Sequence, residues 1–339
     1  MVALHLHDPV AAVASDAAPL VWVLHVGKPV MASQALGLAE ATGFPFVEKV
    51  LSVQRPWAWL PPQLWLNPLG AVRHSGVPLA PPWPDLVIGC GRHSAMPALA
   101  IRRASGGRTF AAQIQDPRVG RSEFDLLFVP EHDRLRGPRI VVTRGAIHRV
   151  TPARLAEARR HFPALAGLPR PILGVLIGGA NRSYRLDFDR LATIADAIAA
   201  ILRAGGGSAL VTPSRRTGDA GLALLQERLA GLRAEIWGGE GDNPYYAYLA
   251  YADTLLVTAD SVSMVSEAAA TGNPVYIVDL EGGDAKFARF HALMHEAGMT
   301  RPFAGKIEHW SYPPPDDTAR AGLVLREQVL SRLDQRRRA

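Results

Sequence analysis

The chain has one cysteine, Cys90, among 339 residues, which excludes an intrachain disulfide framework and a thiolate metal cluster and suits a reducing compartment. No stretch approaches the roughly 18 apolar residues of a membrane span. The amino-terminal MVALHLHDPVAAVASDAAP lacks the basic start and sustained apolar core of a cleaved leader, so a cytoplasmic protein is expected. Lysine is scarce, and the modest net charge of +6, from 37 basic and 31 acidic residues, is carried mostly by Arg along the whole chain. Such a balance does not require nucleic acid. Its one concentration, Arg336-Arg337-Arg338, is expected to be a solvated disordered tail, with anionic lipid at the inner membrane as the alternative. Internal repeats are also missing.

What is present is a strand and helix rhythm running through two halves. Apolar residues make up 48% of a chain too long for one typical core. Val21 to Val26 is a buried-strand pattern that opens onto Gly27-Lys28-Pro29 and a helix ending near Gly43. Strands follow at Phe46 to Val50, Leu86 to Ile88, Thr109 to Ile114, Leu126 to Val129 and Ile140 to Val142, with a helix from about Ser94. Pro152 to Phe162 reads as a helix, and Pro163 to Pro171 as an interdomain linker. A second series begins at Leu173 to Ile177 and continues through Ser208 to Val211, Glu235 to Trp237, Thr254 to Thr258 and Val275 to Val278, with a crossover helix at Phe188 to Ala204. Alternating strands and helices predict parallel sheets, hence an α/β protein of two Rossmann-like doubly wound domains. The expected divisions are 1–165, 166–310 and a terminal helix with basic tail over 311–339.

The stretch Thr254 to Leu280 carries the most functional information. Its apolar strand ends at Ala259-Asp260, and Ser261 and Ser263 then stand where a helix begins. Free N–H groups and the positive end of a helix dipole favour an anion such as a diphosphate. Glu267 follows one turn later, where a carboxylate can take hydrogen bonds from ribose hydroxyls. The plainer reading is a Ser N-cap and a solvated Glu.

This stretch resembles the donor-binding element of GT-B glycosyltransferases. Together with Gly27 to Gly43, Pro84 to Leu99, Gln115 to Asp133 and Leu176 to Asp187, in that order, the chain resembles the bacterial branch of the mitochondrial fission, "elongated mitochondria" family over roughly residues 20 to 310. The resemblance implies GT-B architecture with an interdomain cleft, a terminal helix over Ala321 to Leu333 returning to the first domain, and a nucleotide diphosphate sugar as donor substrate without cofactor or metal. Gly178, Gly179, Asn181, Arg182 and Ser183 then face the donor phosphates, Ser214 and Arg215 offer hydroxyl and guanidinium contacts, and Asn243 lies near the nucleotide. Asp242 or Asn243 serves equally as a helix cap.

On the acceptor side, Gly27-Lys28 with Gln34, Gly89 to His93, Gln115 to Arg118 and Glu131 to Asp133 follow strands. Inverting transfer needs a base for the acceptor hydroxyl, and His93, Asp116, His132 and Asp133 qualify by residue type. Asp187 with Asp189, and His291 with His295, have metal-like spacing but plainer readings as helix-start carboxylates and a solvated helix face. Trp57, Trp59, Trp65 and Trp83 crowd a proline-rich insertion from Gln54 to Pro84, which either caps the first core or offers a surface to a glycan, a lipid-linked acceptor or a membrane. The alternatives to a transferase are an interaction protein on the same fold and a nucleotide-sugar epimerase.

Overall fold

The computed structural model describes residues 18–74, 76 and 78–338, so the expectation about a leader lies mostly on residues outside those described. The first sheet has the order β3-β2-β1-β4-β5-β6-β7. Its strands are β1 (Val21–His25), β2 (Phe46–Val53), β3 (Val72–His74), β4 (Leu86–Cys90), β5 (Phe110–Ile114), β6 (Leu126–Pro130) and β7 (Ile140–Thr143). All pairs are parallel except β2 with β3. Strand β1 is buried throughout because layers cover both faces of the sheet. Val21 and Val23 point into one core, and Trp22 and Leu24 into another, as the two-residue period of a strand requires.

Helix α1 (Pro29–Thr42) has Pro at its start and ends at Gly43 in the left-handed conformation. Helix α2 (Arg92–Ala104) follows β4, and α3 (Pro152–His161) follows β7 after a short crossing segment. The second sheet has the order β11-β10-β8-β12-β13-β15 and is wholly parallel. Its elements are β8 (Ile172–Ile177), β9 (Tyr184–Arg185), α4 (Phe188–Gly205), β10 (Ser208–Pro213), α5 (Gly218–Arg228), β11 (Ala234–Ile236), α6 (Tyr245–Tyr251), β12 (Thr254–Thr258), α7 (Val262–Ala269), β13 (Val275–Val278), β14 (Glu281–Gly282), α8 (Ala285–Glu296) and β15 (Thr300–Pro302). Strands β9 and β14 form a separate antiparallel pair. The strand order reverses beside β1 and β4 in the first sheet and beside β8 and β12 in the second, and ligands of such sheets bind at those reversals.

Three expectations change. Pro163 to Pro171 is not an interdomain linker, because Leu165 is buried with Ile172, Leu210 and Tyr248, and Phe162 and Leu168 pack against that cluster. Helix α3 also packs on α6, so the chain crosses between halves at residues 144–150. The terminal helix α9 (Asp317–Arg338) does return to the first half but is longer than the expected Ala321 to Leu333, and it includes Arg336 to Arg338 as helix rather than disordered tail. Leu325 and Val329 are buried in the first core, each contributing roughly 1.5–3 kcal/mol. Gly322 lies so close to Ala41 of α1 that a Cβ would meet its backbone.

The two crossings are tied together. Asp317 accepts from the amides of Arg144 (2.9 Å) and Gly145 (3.4 Å), and Thr318 accepts from His148 N–H at 3.2 Å. In the tryptophan-rich insertion, Trp65 is buried and Trp57 and Trp83 pack against the core, so these three cap it, but Trp59 does not.

Candidate functional site

The loop after β8 is held by its neighbours rather than left open. Asp260 accepts from the Gly179 amide (3.1 Å) and the Thr258 hydroxyl (2.6 Å) and pairs with Arg216 at 2.6 Å. Arg216 also donates to the Gly179 carbonyl at 2.6 Å. Ser214 and Thr217 donate to the Gly178 carbonyl, at 2.7 and 2.6 Å. Asn181 donates to the Asp260 carbonyl at 3.0 Å and accepts from the amides of Ser183 and Tyr184. A Cβ at Gly178 would run into the Asp260 carboxylate, and one at Gly179 into Arg216, so close approach accounts for both glycines. Asn181, Ser214 and Asp260, expected to touch a ligand, are thus committed to shaping the loop.

Arg182 and Arg215 differ. Both are exposed, and neither makes a hydrogen bond or ion pair among the described residues. They follow β8 and β10, adjacent strands of the second sheet, at the ends where ligands bind.

Helix α7 follows β12. Ser261 is its N-cap and accepts from Met264 N–H at 3.2 Å, so the plainer reading holds for that residue. Ser263 accepts from the Gln34 amide of α1 at 3.4 Å. Glu267 is not solvated: Ser33 donates to one carboxylate oxygen at 2.9 Å and Tyr245 to the other at 2.6 Å. Burial raises its pKa, while those two bonds act in the opposite direction. Asn243 accepts from the Tyr245 amide at 3.0 Å and shapes the turn that opens α6.

The expected bases separate clearly. Burial alone would raise the Asp116 carboxyl, but a bidentate bond from Arg121 (2.7 and 2.6 Å) and one from the Arg118 amide hold it below its ordinary value. Asp133 pairs with Lys286 at 2.6 Å. His132 is buried against Phe290 of α8, with ring centroids 5.3 Å apart, and burial lowers its pKa to about 4. It is an interdomain packing residue with no solvent face, which removes it as a base for an incoming hydroxyl. His93 is partly exposed, stacks on Trp65, makes no hydrogen bond among the described residues, and has its pKa lowered by burial and by the nearby Arg92 and Lys28.

Cys90 is buried 3.5 Å from the Met31 sulfur, and burial pushes its thiol pKa up, so it is no nucleophile. Gln34 links the halves, receiving a bond from Gln115 (3.1 Å) while donating to Ser263. The metal-like spacings are otherwise engaged: Asp187 caps α4 by accepting from Arg190 N–H, and His291 and His295 bond the carbonyls of Ala259 and Thr300. Sequence reasoning missed Ser33, which sits in a helix of small apolar residues with no local mark of a distant partner.

The architecture is similar to known folds. The structure of UDP-GlcNAc 2-epimerase from Methanocaldococcus jannaschii matches with a TM-score of 0.54 at 11% identity, covering 92% of this chain and 99% of that one. The UDP-GlcNAc 2-epimerase of Neisseria meningitidis, solved with UDP-GlcNAc, matches with a TM-score of 0.51 at 13% identity, covering 92% and 99%. These likenesses establish the GT-B-type fold. In sequence, the mitochondrial fission protein ELM1 of Arabidopsis thaliana is 34% identical over 277 residues, 74% of this chain, which spans 65% of that relative's length. Residues 29–329 match the model of the family described as Mitochondrial fission ELM1, and the chain belongs to that family.

Proposed function

We propose that the protein is a glycosyltransferase that binds a nucleoside diphosphate sugar on its second half and transfers the sugar to an acceptor on its first. The observation carrying this reading is the pair Arg182 and Arg215, two unengaged guanidiniums on an internally satisfied loop region. Planar guanidiniums suit bidentate contact with phosphate oxygens, and the α7 N-terminus supplies further positive character without metal. The similar N. meningitidis fold was solved with UDP-GlcNAc, which makes a uridine donor the first to try.

In this scheme the acceptor oxygen attacks the anomeric carbon as the bond to the diphosphate breaks. The proton passes to His93, and the charge on the leaving diphosphate meets Arg182 and Arg215. Attack opposite the leaving group inverts the anomeric centre. The acceptor is an envelope or lipid-linked glycan, and the reaction runs in the cytoplasm with no cofactor beyond the donor. An epimerase is the second reading, favoured by the epimerases of similar fold, and it would use the same donor site.

Calorimetry with a panel of nucleoside diphosphates and their sugars tests the reading. Saturable binding that the Arg182→Ala/Arg215→Ala double variant loses supports it. No binding of any nucleotide to the wild type leaves the protein as an interaction module on the same fold. Sugar transfer to water or acceptor, as opposed to inversion at the sugar ring without release of the nucleotide, separates transferase from epimerase.

A further inference from the structure

The loop between β2 and β3 folds around Trp65, which is 3% exposed. Its indole N–H donates to the carbonyls of Trp57 (3.0 Å) and Leu60 (3.3 Å), holding the one-turn helices Trp57–Trp59 and Pro62–Leu64. Burying this ring leaves its neighbours outside. Trp59 is 72% exposed, Leu60 39%, Leu64 55% and Leu66 92%. Four large apolar side chains within residues 59–66 form an exposed feature of the kind that marks an interaction surface.

The charge carried by this stretch of chain has one sign. No Asp or Glu occurs between Glu48 and Asp85. The Arg55 guanidinium lies 5.6 Å from the Trp59 ring. Arg55, Arg73 and Arg92 are all exposed and make no ion pair among the described residues. An indole and leucines accompanied by arginines, with no carboxylate, match the boundary of an anionic bilayer: rings and leucines enter the acyl edge while guanidiniums meet headgroup phosphates.

We infer that residues 55–66 dock the protein on an anionic lipid surface. The buried Trp65 also stacks on His93, with ring centroids 6.2 Å apart, so the docking loop adjoins the proposed base. Docking there brings the acceptor side of the site to the membrane, which selects a lipid-anchored acceptor; that extension alone rests on the transferase reading.

The test is co-sedimentation of the full chain with vesicles of phosphatidylcholine alone and of phosphatidylcholine containing phosphatidylglycerol. Wild type is compared with Leu64→Ser/Leu66→Ser and with Arg55→Gln. Binding to the anionic vesicles only, weakened by salt and reduced about tenfold or more in the leucine variant, is the expected result. Quenching by brominated lipid that disappears in Trp59→Phe places that ring in the bilayer. Unfolding midpoints near the wild-type value show that the variants fold. Equal binding by wild type and the leucine variant overturns the inference. So does failure to bind anionic vesicles, whether or not the face instead mediates self-association that the leucine variant abolishes. Nucleotide calorimetry on the same samples reports the donor reading separately.

Discussion

The hydroxyl of Ser33, on α1 of the first half, donates to Glu267, on α7 of the second, at 2.9 Å, and the phenol of Tyr245 fills the other carboxylate oxygen at 2.6 Å. Two hydroxyls on two oxygens is the pattern a ribose diol would make with the same group. A nucleoside bound at Glu267, as the proposed donor site would require, would have to compete with Ser33, and Gln34 beside it donates to Ser263.

Ser33→Ala should consequently tighten nucleotide binding by about threefold to tenfold, because one competing hydrogen bond to a carboxylate is worth on the order of 1 kcal/mol net. The same change should raise the radius of gyration measured by small-angle scattering as the halves part more often. Weaker binding in this variant would sink the competition.

Glu267→Ala should abolish nucleotide binding and also destabilise the fold, since it leaves the half-buried Ser33 and Tyr245 hydroxyls without their shared acceptor. The expected loss is about 1–3 kcal/mol, measured by urea unfolding. An unchanged unfolding midpoint would mean that water replaces the carboxylate freely.

Adjacent arginines should behave differently. Arg215→Ala should weaken diphosphate binding about tenfold and leave stability alone, whereas Arg216→Ala should destabilise by about 1–3 kcal/mol because it removes the cation paired with the enclosed Asp260 carboxylate. Thermal unfolding and calorimetry on both variants check this contrast, and similar stabilities would refute it.

His93→Gln should lower transfer about a hundredfold or more while donor affinity holds. Because burial and the nearby Arg92 and Lys28 lower its pKa, activity should persist below the pH at which an ordinary imidazole is protonated, and fall only lower. A transfer rate that ignores the substitution would assign the proton to another group.

Stability should fall in mild acid. Burial lowers His132 and His148 to about 4, against 6.5 in an unfolded chain. Between those values the unfolded chain binds the protons, so stability present above pH 6.5 is lost as pH falls toward 4, by up to about 1.4 kcal/mol per pH unit for each group. Urea unfolding at several pH values should show a shallower slope for His132→Phe, and an identical slope would exclude that histidine.

Much of the fold was readable locally. Thr254 to Thr258 and Val275 to Val278 are strands with the expected bounds, because a strand buried on both faces writes itself as an apolar run closed by turn residues. The length of α9 was not readable, because its charged last turn has the composition of a solvated tail. There Arg332 pairs with Asp125 at 2.5 Å and Arg336 lies 3.6 Å from Asp85. The supposed linker was misread for a related reason: proline and glycine mark turns, and a turn can still lie against a core, as Leu165 does.

The sequence by itself determined the two α/β halves, the strand ends where polar residues gather, and the family, because apolar periodicity and turn chemistry act over a few residues. The tertiary structure alone decided which polar groups remain free. Arg215 and Arg216 are indistinguishable as neighbours, yet Asp260, far along the chain, engages only the second. Glu267 meets Ser33 across 234 positions, and no local pattern encodes a hydrogen bond whose partners approach only when two separately folded sheets close on each other.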